Sequence, residues 1–395
     1  MNTDLAIIGA GAAGLFAACH AAERGLPAVL LERRSRPGIK LLMCANNRCN
    51  FGHVGSAREL LQAYGEPVAQ FLSAAVRATT SADVARWFEE RGLRVKRVGQ
   101  RLYPASEKGD DVLHLLTDIL RDRQVPVIYN CPVESVRYLK EGGFLLKSPS
   151  MELTSRRILL ATGGCSYPRT GSMGDAMLFA KELGLAVEPP RAGLVGIQLS
   201  PDDPLCGIPG EFEVEEVTAS ASGIGPVPGN LVVENGVLRG SSVYDLTRLL
   251  ARRSIPLRNL SIDFLPGRTA ESLEKRLPML RERHPGNDEL VLNGLGISPR
   301  LARALAEYRD FPATALKEYP VHDARLRPLR EAIITVGGLS LEEFDPSTMQ
   351  CRRLPGLYAA GECLDIDGPT GGYNLEAAFA TAALAVRSIA SSAKR

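Results

Sequence analysis

Two groups of residues in this sequence have the types and spacing that chemistry requires. The first is Gly9-Ala10-Gly11-Ala12-Ala13-Gly14, followed at a distance by Glu32. Glycines in this spacing allow a tight strand-to-helix turn at Gly9, backbone contact with a diphosphate at Gly11, and close helix–strand packing at Gly14. The amides opening such a helix face an anion, and an acid ending the next strand holds a ribose hydroxyl pair. Together they predict a dinucleotide site. The second group is Cys44-Ala-Asn-Asn-Arg-Cys49. A turn can bring such a pair within disulfide reach, where Arg48 would stabilise a thiolate. A plainer reading stays open: Cys49 as a structural cysteine and Cys44 as a small side chain in a loop.

The glycine fingerprint alone does not separate NAD from FAD. Two later segments do. Leu160-Ala161-Thr162-Gly163-Gly164 reads as a buried strand entering a glycine turn. Leu357-Tyr-Ala-Ala-Gly361-Glu362 is a strand ending in an acid suited to a ribityl hydroxyl, and Gly371-Gly372-Tyr373-Asn374-Leu375 opens a helix. That helix N-terminus would set amides and a positive dipole at the flavin N1–C2=O edge.

The elements that must position these residues follow from apolar periodicity. Asp4–Gly9, Ala12–Arg24 and Pro27–Glu32 form a βαβ unit. Residues 57–92 are helical in pattern, as is Val112–Arg123. Val125–Tyr129 reads as a strand continuing a parallel sheet, with Pro132–Leu139 and Gly143–Ser148 as a meander laid across it. Arg157–Thr162 reads as another strand and Gly174–Leu183 as a helix. Beyond Pro189-Pro190, residues 191–265 look like short strands and 269–331 like helices. Ala332–Val336, Leu357–Gly361 and the helix Asn374–Ala390 then return to the first domain. The expected fold is α/β: a Rossmann-type FAD-binding core from 1–190 and 333–395, interrupted by an α+β domain over 191–332 for substrate or partner.

Composition narrows the function. A chain of 395 residues with 45% hydrophobic and 23% charged residues is an ordinary globular one of two or three domains. A formal charge of +2 argues against a nucleic-acid partner. Eight dispersed cysteines do not make a disulfide scaffold, and a cytoplasmic protein with no membrane segment is expected. The five histidines, His20, His53, His114, His284 and His322, form no spaced metal pair, so no metal is expected. His53, just after the cysteine loop, is a candidate acid or a surface histidine.

Lys40-Leu-Leu, Arg48-Cys49-Asn50, Ala161-Thr-Gly-Gly-Cys-Ser-Tyr-Pro168, Thr170-Gly-Ser-Met-Gly-Asp175, Thr348-Met349 and Gly361-Glu-Cys-Leu-Asp365 through Gly371-Gly-Tyr-Asn-Leu375 resemble the BaiN-like, or aminoacetone-oxidase-family, flavoproteins over nearly the whole chain. The resemblance implies non-covalent FAD, an inserted barrel-like domain, and a redox role, with reduction of an activated enone double bond in one branch. It places Gly9, Gly11, Ala12, Ala13, Gly14, Glu32 and Lys40 around the ADP half, and the Val133 backbone at adenine. Thr162 and Gly163 would line the pyrophosphate; Glu362, Asn374 and Leu375 would hold the ribityl chain and ring. Arg48, Gly361 and Gly372 complete the expected cofactor set.

The sequence departs from that family where Cys44-Ala45-Asn46-Asn47 replaces a glycine-rich stretch. The expected function is therefore an FAD-dependent reductase or oxidase acting by hydride transfer through flavin N5 on a small organic substrate, with NAD(P)H as co-substrate. The alternatives are a thiol–disulfide enzyme using Cys44 and Cys49, and a flavoprotein whose FAD is structural and whose second domain binds a macromolecule.

Overall fold

The structure is a computed structural model that describes residues 2–306 and 313–393. The chain divides into two compact units, one of residues 1–191 with 334–395 and one of 192–333.

The first unit is built on β1 (Asn2–Ile8), α1 (Ala12–Glu23) and β2 (Ala28–Leu31). Residues 13–21 of α1 are all buried, which only a helix rich in small side chains tolerates. A single turn, α2 (Ile39–Leu42), and a short β3 (Gly52–His53) follow. The helical stretch expected over 57–92 is three helices: α3 (Ala57–Tyr64), α4 (Val68–Ala78) and α5 (Ser81–Glu89). The breaks have local causes. Ser56 with Glu59, and Thr80 with Asp83, form reciprocal capping boxes that start α3 and α5.

Next come the hairpin β4 (Val95–Val98) and β5 (Arg101–Pro104), then α6 (Gly109–Asp122) and β6 (Val127–Ile128). β7 (Ser135–Tyr138), β8 (Phe144–Ser148) and β9 (Met151–Leu160) complete the main sheet, in the order β6-β2-β1-β9-β8-β7. The meander therefore joins the sheet instead of crossing it. β9 is long enough for its first half to pair antiparallel with β8 while its second half runs parallel to β1. α7 (Asp175–Leu183) and β10 (Val187–Gly193) lead to the second unit.

In the second unit, β11 (Ile197–Gln198), β12 (Phe212–Ala221), β13 (Ile224–Glu234) and β14 (Val237–Arg239) precede α8 (Ser241–Arg252). α8 lies inside the stretch expected to be strands. Asn230, from β13, accepts the Ser241 amide and starts it. β15 (Leu260–Asp263) is followed by α9 (Ala270–Arg283), α10 (Asp288–Gly294), α11 (Pro299–Ala306) and α12 (Ala313–Lys317). β16 (Tyr319–Val321) and β17 (Arg325–Leu326) complete an antiparallel sheet of order β16-β15-β12-β13-β14-β11-β17. That order has two ends, so among the described residues the expected barrel is an open sheet.

The chain returns through β18 (Ile334–Leu339) beside β10, β19 (Leu357–Ala359) parallel to β9, and α13 (Tyr373–Ala393). α13 packs on α1, and both contribute to one hydrophobic core. Among the described residues no helix is long and apolar enough to cross a membrane.

Candidate functional site

Gly9 and Gly14 are glycine because the first turn leaves no room for anything else. Gly9 has φ +102°, and a Cβ there would lie 2.5 Å from the Ala161 carbonyl oxygen; one on Gly14 would lie 1.8 Å from that of Gly9. Gly11 is the opposite case. A Cβ on it would meet nothing within 4 Å, and no side chain caps α1. Free amides, a positive helix end and open space at Gly11 are what a diphosphate requires.

Glu32 ends β2 beside this turn. Its Oε2 accepts the Ala10 amide at 2.8 Å and its Oε1 the Arg34 amide at 2.8 Å. Burial raises its carboxyl, with these amides, Arg33 and Arg34 opposing the shift. The chain before Val133 zips onto the same strand end, Asn130 and Cys131 donating to the carbonyls of Arg34 and Glu32. Val133 is buried.

Three strand ends meet next to α1. Gly163, just past β9, has φ +71° and lies against Ser172, while Thr162 precedes it half-buried. Gly361, just past β19, also has positive φ, and a Cβ on it would come within 3.0 Å of the Ala13 methyl. Glu362 then reaches across. Its Oε2 lies 2.6 Å from Lys40 Nζ, and its Oε1 accepts from Ser166 Oγ at 3.1 Å and from the Thr335 amide at 2.8 Å. Lys40 also donates to Ser166 Oγ at 2.6 Å, and Thr335 Oγ1 accepts the Cys165 and Ser166 amides. Ser166 and Thr335 were not singled out from the sequence. Ser166 stands in a quoted motif, and Thr335 in a strand that carried only an apolar signal.

The loop 44–53 and the start of α13 form the other wall. Gly372, with φ +102°, sits where a Cβ would be 2.6 Å from the Gly52 carbonyl oxygen and 2.7 Å from Asn50 Oδ1. Asn50 Oδ1 is buried and has no hydrogen-bond partner among the described residues. Leu375 is half-buried in the first turn of α13. Asn374 departs from expectation: its side chain binds the Gly368 amide and the carbonyls of Gly368 and Pro369, so it closes the 368–374 loop.

Arg48 also departs. Its guanidinium lies over the Tyr103 ring and pairs with Glu107 at 3.7 Å, so it is engaged away from a thiolate. Cys44 and Cys49 are free thiols. Burial pushes Cys44 up to about 11 and Cys49 well above the usual thiol range. Without a cation to offset burial, neither thiol favours the thiolate that disulfide exchange needs. The loop holds Ala45, Asn46, Asn47 and Cys49 at positive φ, conformations that glycine would adopt without strain.

His53 is held in this geometry as a hydrogen-bond donor. Its Nδ1 lies 3.2 Å from the Gly371 carbonyl, which can only accept, so Nδ1 carries the proton of the neutral ring. Burial lowers its pKa, with Arg101 adding to the shift and the Gly371 hydrogen bond opposing it. The ring stacks on Tyr373 at 4.6 Å.

The model of the HI0933-like protein Rossmann domain matches residues 3–388. A ribosomal RNA dihydrouridine synthase of Escherichia coli is 29% identical, with 96% of each chain covered. A 3-dehydro-bile acid delta(4,6)-reductase of Clostridium scindens is 27% identical, with 98% of each covered. Among solved structures, the 3-ketosteroid delta1-dehydrogenase of Sterolibacterium denitrificans superposes with a TM-score of 0.56 at 15% identity, covering 99% of this chain and 100% of that one. That likeness is one of fold.

Proposed function

The chain belongs to the HI0933-like family of flavoprotein oxidoreductases with a Rossmann-type FAD-binding fold, and from that premise we propose that it saturates a carbon–carbon double bond conjugated to a carbonyl. The observation that carries this reading is what two relatives aligned end to end have in common. Dihydrouridine forms when the C5=C6 bond of uracil, conjugated to the C4 carbonyl, gains two hydrogens. The 4,6 double bonds of a 3-oxo steroid are likewise conjugated to its ketone. Both are conjugate acceptors: hydride adds at a carbon made electrophilic through the carbonyl, β in uracil and β or δ in the dienone, and a proton adds at the partner alkene carbon.

Reduced FAD supplies such a hydride from N5, and NAD(P)H is the reductant we assign to it. The residues fit the cofactor. The open Gly11 backbone and the start of α1 would receive the pyrophosphate, Glu32 the adenosine ribose, and Lys40 with Glu362 the middle of the molecule. The Asn50–Gly52 and Gly371–Tyr373 segments, which pack against each other, would border the ring. The dithiol reading finds no support in a half-buried Cys44 and a buried Cys49, both held above the usual thiol range.

The test is anaerobic. The flavin is reduced with NADPH or NADH, and its re-oxidation is followed on adding a cyclic enone or a uridine-containing RNA. Re-oxidation with saturated product is expected for at least one of them; a reduced flavin that only oxygen re-oxidises would overturn the proposal.

A further inference from the structure

The β4–β5 hairpin concentrates positive charge that the whole-chain average hides. From 91 to 106 the sequence has five cations, Arg91, Arg94, Lys96, Arg97 and Arg101 among them, and no acid. The Arg-containing helices of the second unit show no such excess: residues 192–333 hold 17 basic and 19 acidic side chains. Arg91 is neutralised by Glu23 at 2.8 Å, and Lys96 pairs with Glu107. Arg94 and Arg101 are exposed, have no carboxylate partner among the described residues and stand on one face of the hairpin, whereas Arg97 stands on the other and donates to the Gly99 carbonyl and Gln100 Oε1 of its own turn.

The hairpin is also fixed to the candidate site. β4 and β5 pair from Val95↔Pro104 to Val98↔Arg101, leaving Gly99-Gln100 as the turn. β5 in turn pairs with β3, Arg101 opposite His53, and the Val54 amide donates to the Gln100 carbonyl at 2.7 Å. His53 stacks on Tyr373, where α13 begins. One strand spacing, about 5 Å, thus separates Arg101 from the segment bordering the proposed ring site.

We propose that this hairpin is a docking surface for single-stranded RNA, whose phosphates Arg94 and Arg101 hold while a base enters the site. The inference rests on the reading of the protein as a conjugated-alkene reductase, since uracil is such an alkene. Two exposed guanidiniums without a carboxylate, on one face of a paired hairpin, suit a phosphate backbone, and a single strand presents an unstacked base. The modest net charge is no obstacle, because the cations that count lie on one face.

The experiment uses the flavin-loaded full chain and a fluorescent uridine-rich single-stranded RNA. Binding is measured by anisotropy across a KCl series, for wild type and for Arg94→Gln/Arg101→Gln. Flavin content and melting temperature verify that the variant is folded. Wild type should bind at low salt, and the variant at least tenfold more weakly. The salt slope should shrink by about 1.4, the change for two phosphate contacts on a single strand. Equal affinity and slope in both proteins, no binding by wild type, or binding to phosphatidylserine vesicles in place of RNA overturns the docking surface. Flavin re-oxidation by a small cyclic enone reads the underlying function separately. Enone reduction without RNA binding defeats the docking surface alone. RNA binding that the variant loses, with no alkene reduced, defeats the reductase reading alone.

Discussion

Lys40 Nζ lies 2.6 Å from Glu362 Oε2, joining residues 322 positions apart in the chain. One belongs to the turn after β2, the other to the segment after β19, so the pair fastens the returning C-terminal segment to the first βαβ unit. Both side chains are mostly shielded, at 25% and 21% exposure, and Ser166 hydrogen-bonds to each of them. Such a network resists the loss of one member more poorly than the loss of both charges.

Glu362→Ala is therefore expected to lower both the melting temperature and the flavin retained on purification. It leaves the Thr335 amide without its acceptor and the Lys40 ammonium with Ser166 Oγ but no countercharge. The double variant Lys40→Met/Glu362→Ala should recover part of the stability and none of the flavin. Thermal melts with flavin absorbance on the four proteins of the cycle check this. Additive losses in stability would show that the pair is not coupled.

The fingerprint glycines should separate by what their substitution breaks. Gly14→Ala drives a methyl into the Gly9 carbonyl, so it should unfold the turn and reduce soluble yield. Gly11→Val meets no protein atom, and Gly11 has φ −81°, which any residue adopts. It should give a folded protein with a near-native melting temperature in the absence of flavin, and at least a hundredfold weaker FAD binding. Fluorescence titration of the flavin-free protein checks it. Native affinity in Gly11→Val would remove the pyrophosphate from this turn.

The parts of the site legible in the sequence are those where a local backbone demand selects the residue. Gly9, Gly14, Gly361 and Gly372 each lie where a Cβ would strike a neighbour or at positive φ, and spacing alone exposes them. Contacts made over long sequence separations left weaker traces. Thr335 receives two amides from the 165–166 turn, yet in sequence it is one residue of a buried strand. The resemblance implied Asn374 at the cofactor, and its side chain makes three hydrogen bonds within its own loop, a contact that helix-start spacing does not reveal. In the second unit α8 was hidden because its cap comes from Asn230 on a different element. The +2 net charge described the average of two units and concealed the hairpin.

Glu376 gives the last prediction. It lies in the first turn of α13, wholly buried, and neither carboxyl oxygen has a well-formed hydrogen bond among the described residues. Burial raises its pKa from 4.5 to about 8, opposed only in part by the facing Ser81 hydroxyl, which itself accepts the His53 amide. A carboxyl raised on folding prefers the protonated state in the folded protein. Its stabilising preference is complete below the unfolded value of 4.5 and is lost as pH rises through about 8. Across that window the fold should lose up to about 1.4 kcal/mol per pH unit through this one group. Glu376→Gln, uncharged and of the same shape, removes the dependence. It should match wild type near pH 5 and melt several degrees higher near pH 9. Urea unfolding of both proteins across that range checks the sign: parallel stability curves would mean that Glu376 is ionised in the fold at no cost.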